Sequence, residues 1–143
     1  MKRIKFKELE LTNKMSTEIE ILTQLKTQLI NFLDELIESF PSEPDFVVFR
    51  IFANDRIPIT EIMNYIINNL CPLQEMVKTR NEDFFLNYNI LFENFDNDGS
   101  SKVNHFKRLW TSGNLDKEDK ETIWRWFQSF IYLGNKYIEC KKK

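Results

Sequence analysis

The chain has 143 residues, 42% of them hydrophobic and 14% aromatic, and a formal net charge of -2. A domain of this length buries well over half of the surface its unfolded chain exposes, so folding requires neither a metal nor a disulfide. With only three glycines, none of them clustered, a phosphate-cradling glycine loop is excluded, and the scarcity of turn residues points to long helices joined by few loops.

The charge is unevenly spread. Lys2, Arg3, Lys5 and Lys7 lie at one end and Lys141, Lys142 and Lys143 at the other, which leaves thirteen basic residues against twenty-two acidic ones and a body near -9. An acidic body repels a phosphate backbone, so nucleic-acid contact is expected only through the tails. The basic start, MKRIKFKELEL, runs into acids instead of an apolar stretch, as a signal peptide would not. No run approaches the ~18 uninterrupted apolar residues of a membrane span. Cys71 and Cys140 are far apart, nothing argues for a bridge, and a reducing compartment is the default. The expectation is a soluble, intracellular, cytoplasmic protein: a basic tail over residues 1–14, a helical domain over 15–139 and a basic tail over 140–143.

In chain order, Ile19, Leu22, Leu25, Leu29, Phe32, Leu36 and Phe40 recur at spacings of three and four and define a first helix. Thr17 and Glu20 form a capping box at its start, and Pro41 ends it. PDFVVFRIFAND suits both a helix beginning at Pro44 and a buried strand; a short buried helix is preferred because a lone strand has no partner. Thr60 heads the next helix, with Ile62, Met63, Ile66, Ile67 and Leu70 on its apolar face, and Pro72 ends or kinks it. Further helical patterns run through Leu73, Met76 and Val77, through Phe84 to Phe95, and from Val103 to Trp110, with Gly113 as a C-cap. The last helix is the best defined. Asp116 caps it, Leu115 staples its first turn, and Glu118, Asp119 and Glu121 sit near the positive end of its dipole. Ile123, Phe127, Phe130, Leu133 and Tyr137 form one apolar line; Trp124, Ile131 and Ile138 form a second, interrupted by Gln128 and Asn135. A helix apolar on two faces is either central to the fold or shared with a partner.

Few residues look like a chemical site. "NFDNDGSSKVNH", residues 94–105, begins like a calcium loop, which needs oxygen ligands at positions 1, 3 and 5, Gly at 6 and a bidentate Glu at 12. With Gly99 at position 6, Asn94, Asp96 and Asp98 take the first three ligand positions, but Ser101 occupies position 8 and His105 position 12. Starting at Asp96 puts Ser101 where Gly is needed and Lys107 where Glu is needed. The stretch reads as an interhelical turn ending in a serine cap, with Asp96 and Asp98 as the residues a weak cation would use. His105, the single histidine, has no serine or cysteine in a nucleophile context, and one His with two scattered Cys lacks zinc spacing. Glu82 and Asp83 are adjacent, so on a helix they diverge by about 100°; they read as a helix start with a local ion pair to Arg80. Trp110, Trp124 and Trp126 beside Lys107, Arg108 and Arg125 could stack bases, but their helical spacing with Phe and Ile favours core packing.

Two passages, "RNEDFFLNYNILFENF" and "VNHFKRLWTSGNLDKEDKETIWRWFQSFIYLGNKY", together resemble a group of small uncharacterised proteins encoded by nucleocytoplasmic large DNA viruses. The resemblance spans roughly residues 44–139, and it brings no activity, ligand or catalytic residue. The expectation is a single all-α domain, a helical bundle of about five to seven helices with an aromatic-rich core. It has no catalytic, cofactor or metal site and acts in protein–protein interaction or as a structural protein, most simply as a self-associating dimer. The expected contacts are Trp124, Gln128, Ile131 and Asn135, if that second face is exposed. The alternative is a nucleic-acid-associated factor that touches phosphate through the basic tails.

Overall fold

The computed structural model describes residues 17–83, 110 and 115–142. Helix α1, Glu18–Ser39, starts at the expected capping box: the Thr17 hydroxyl accepts from the Glu20 amide at 3.2 Å and the Glu20 carboxylate accepts from the Thr17 amide at 3.4 Å. Two of the amides a helix start leaves open are thereby bonded. Helix α2, Pro44–Ile51, takes Pro44 at its first turn, where the missing N–H would be unbonded anyway. The ambiguous PDFVVFRIFAND segment is therefore helical, as preferred. It is not fully buried: Phe46 and Ala53 face inward, while Val47, Val48 and Ile51 are exposed.

Helix α3, Ile59–Tyr65, begins just before Thr60, behind Pro58. The run then continues through a wide turn at Ile66–Leu70 and a tight turn at Cys71–Leu73 into α4, Gln74–Lys78. Helix α5 occupies Lys117–Lys141, and Asp116 caps it by accepting from the Asp119 amide at 2.7 Å. It runs on into the basic C-terminal segment. Among the described residues the elements join into four helical runs with no strand, fewer than the expected five to seven helices. The patterns over Phe84 to Phe95 and before Trp110, the Gly113 cap, His105 and the calcium-like stretch lie outside the described residues.

Two π-helical turns share a sequence context. α2 passes into one at Phe52–Arg56 and α3 into the other at Ile66–Leu70. Each is followed, two residues on, by a proline: Pro58 and Pro72. A proline has no N–H to carry the ladder forward, so the residue before it holds the last donor ahead of the proline. That donor, Ile57 in the first case and Cys71 in the second, reaches back five residues, to the carbonyls of Phe52 and Ile66. The Ile57 bond is 2.8 Å long.

α1 and α5 form the central pair. α2 packs on α1, while α3 lies against α1 and its continuation through the turns and α4 lies against α5. The rings gather where α1 and α5 meet: Phe32 lies 5.5 Å from Trp126, 6.2 Å from Phe127 and 5.8 Å from Phe130. The first apolar line of α5, Ile123, Phe127, Phe130, Leu133 and Tyr137, is buried throughout. On α1 the expected Leu25, Phe32, Leu36 and Phe40 are buried and Leu22 and Leu29 partly so, but the buried face is wider than expected. Ile21 and Leu33 are inside, whereas Ile19, in the first turn, is 75% exposed.

Candidate functional surfaces

The second line of α5 was the expected contact face, and its four residues divide in two. Trp124 and Ile131 are buried, whereas Gln128 and Asn135 are exposed. The chain itself covers this face. Trp124 packs edge to face on Trp110, with centroids 5.6 Å apart, and the Ile131 carbonyl faces the Cys71 thiol at 3.8 Å. Gln128 accepts from Arg80 at 3.4 Å, and the Asn135 amide donates to Gln74 at 3.4 Å. The two-faced apolarity of α5 thus marks a central helix, and Trp124 and Ile131 are not available to a second molecule in this arrangement.

Arg80 is where the backbone departs from the ordinary. Its φ is 56°, in the left-handed region, which costs a side chain with a Cβ roughly 1–2 kcal/mol. The reason is the end of α4. The Arg80 amide donates to the Val77 carbonyl at 3.1 Å and the Asn81 amide to the Met76 carbonyl at 2.9 Å. This paired closure usually takes glycine at the position Arg80 holds. The guanidinium offsets the strain by bonding the Val77 carbonyl at 2.8 Å and gripping Glu121 of α5 with two bonds, at 3.0 and 2.6 Å. The expected local pair of Arg80 with Glu82 or Asp83 is replaced by this long-range one. Glu82 instead accepts from the Trp110 indole at 2.7 Å and faces Lys120 at 3.5 Å. Arg80, Glu82, Lys120 and Glu121 line an open groove between the α4 turn and the first turns of α5, together with Trp124. Among the described residues no three His, Cys, Asp or Glu side chains gather in a metal-binding arrangement.

The Arg80 hydrogen bonds hold the Glu121 carboxyl below its ordinary value of 4.5; burial opposes them, and the charges of Arg80 and Arg125 add to the lowering. A carboxyl lowered on folding stabilises the fold above its unfolded pKa, and that contribution is lost as pH falls through the folded value. In urea titrations, Arg80→Ala is expected to lack this component above pH 4.5, with its deficit against wild type shrinking as pH falls below that value, and to keep the left-handed strain. Arg80→Gly loses the same pair but relieves the strain, so it should be more stable than Arg80→Ala by about 1 kcal/mol.

The exposed apolar surface lies elsewhere, on α2. Val47, Val48 and Ile51 are 44%, 38% and 47% exposed, and their spacing of three and four residues makes them neighbours on one outward strip. Phe46, on the opposite side, is buried and stacks toward Phe40 at 6.4 Å. Arg50 ties the helix to α1 through Asp34, and Lys26 of α1 donates to the Asn54 carbonyl at 3.1 Å. α2 is therefore held from behind and open in front. Sequence reasoning missed this strip because apolar residues at five of six consecutive positions read as buried whichever way the helix turns.

These features define a helical protein built on one aromatic-centred pair, with an apolar strip on the outward side of α2. Comparison with family models, with curated proteins and with solved structures gives no match. No helix of the described residues is long and apolar enough to cross a membrane.

Proposed function

We propose that the protein is a non-enzymatic interaction module that associates with a second copy of itself through the outer strip of α2. The observation that carries this is the adjacency of Val47, Val48 and Ile51 on an anchored helix. Single exposed apolar residues are ordinary on a protein surface, but contiguous ones concentrate at contact sites. The ends of α2 favour a like partner. Glu43 and Asp45 lie at its start and Arg56 just past its end, Arg50 being engaged with Asp34 of α1. Asp55, the acid at that basic end, accepts from the Asn54 amide at 2.9 Å. Two copies related by a two-fold axis would run antiparallel, with the acidic start of one facing the basic end of the other and with opposed helix dipoles.

Such a strip is small beside the ~1,200 Å² of a standard interface, so association should be weak, with a Kd on the order of 10–100 µM. The resemblance of residues 44–139 to helical proteins of large DNA viruses makes a virus-encoded structural or interaction protein the setting of this proposal. Sedimentation over a concentration series should show a reversible dimer, and Val47→Asp with Ile51→Asp should return it to monomer while circular dichroism stays unchanged. A monomer at several hundred micromolar, or a dimer indifferent to both aspartates, would refute the α2 interface.

A further inference from the structure

Behind α2 lies a cavity of about 130 Å³. Its inner wall is formed by Phe32, Leu33 and Leu36 of α1 with Phe127 and Phe130 of α5. Phe46 and Phe49 of α2 close one side, and Ile62 and Leu70 close another. The rim is half-buried and carries Leu29, Phe49, Phe52, Ile57 and Tyr65. Apart from the Tyr65 hydroxyl, every side chain of this wall is hydrocarbon. Packed interiors hold few voids larger than a water molecule, and a void without polar partners does not hold water.

Both π-helical turns reach this cavity. Phe52 and Ala53 come from the first and Leu70 from the second. A π turn widens the helix and is frequent at functional sites. Here both turns, each just ahead of a proline, supply lining residues to the same void.

We infer that this cavity is a binding site for a small, neutral, apolar molecule or group of about the size of a benzene ring. The volume matches, since an apolar cavity of ~150 Å³ takes up benzene. The lining selects the chemistry: six phenylalanine rings offer edges and faces to an aromatic guest. A charged guest finds no counter-charge in the wall and would be left desolvated. The ligand site is separate from the α2 strip, because it uses the opposite face of the helix.

The probe is benzene, with benzoate as the charged control. Near-saturating benzene should raise the melting temperature of the full-length chain by about 3 °C or more, and benzoate should not. In the methyl carbon–proton spectrum, benzene should shift Leu29, Leu33, Leu36, Ile57, Ile62 and Leu70 while leaving Val47, Val48 and Ile51 in place. Ala53→Met projects a side chain into the void and should abolish both responses. No thermal shift, an equal response to benzoate, or shifts confined to the Val47 strip would each overturn the inference. The methyl measurement is made on the wild-type chain and stands even if Ala53→Met does not fold.

Discussion

Trp126→Ala is expected to cost about 3–5 kcal/mol, the range for removing a large buried ring. Trp126 is fully buried, 0% exposed, at the crossing of the two central helices. Its ring lies 5.5 Å from Phe32 at an interplanar angle of 40° and 6.2 Å from Phe130 at 34°. Tilted ring pairs of this kind add about 0.5–1.5 kcal/mol each beyond the area they bury. A whole domain is stable by only ~5–15 kcal/mol, so the loss is a large share of the total. Tyr132→Ala, at a 43% exposed position on the same helix, is the matched control and should stay within about 0.5 kcal/mol of wild type. Urea unfolding of the three proteins separates these outcomes. A Trp126→Ala loss below 1 kcal/mol would show that the α1–α5 crossing is not the centre of the core.

What was legible in the chain was local chemistry. Thr17 with Glu20 and Asp116 with Asp119 announce helix starts because their bonds close within three residues. The all-helical class followed from periodicity and from the lack of turn residues, whereas the two apolar lines of α5 suited a central place and a partner face equally. What was not legible was everything decided by distant residues. Arg80 reads as the partner of its neighbours Glu82 and Asp83, yet it pairs with Glu121, which the fold brings to it from 41 positions away. Gln28 and Glu35 are buried on α1, although nothing in an amide or a carboxylate signals burial. The outward side of α2 was hidden by its own uniform apolarity. The candidate surfaces were the least legible part, because exposure is a property of what the rest of the chain covers. The contact face expected on α5 had the right chemistry for a helix partner, and Trp110 and the α3–α4 run cover its apolar residues Trp124 and Ile131.

The second large effect concerns Gly134, where a helix-favouring substitution should destabilise. A glycine in a helix interior ordinarily costs about 1 kcal/mol relative to alanine, so Gly134→Ala would be stabilising in open space. The space is not open. A Cβ at Gly134 would stand 2.7 Å from the Cys71 sulfur, 3.3 Å from Ile66 Cγ2 and 3.6 Å from Ile67 Cγ1. The sulfur is pinned: Cys71 is buried, its side chain lies toward the Ile131 carbonyl, and the wide turn before Pro72 sets its backbone. Burial also pushes its thiol up to about 11, so it remains a neutral, inert group at neutral pH and gives no alternative chemistry for the effect. Gly134→Val, which adds branched methyls toward Ile66 and Ile67, should cost about 3 kcal/mol, at the upper end of overpacking. Gly134→Ala should cost about 1–2 kcal/mol net of its propensity gain. Cys71→Ala removes the closest obstacle and by itself leaves a small void. Combined with Gly134→Ala it should be more stable than the sum of the two single changes, with a coupling of about 1–2 kcal/mol. That sign is the test. Additive losses in the double-mutant cycle would mean that the sulfur does not set the spacing between α5 and the turn at Cys71. A positive coupling would place the close approach of α5 to the α3–α4 run at this one pair of residues.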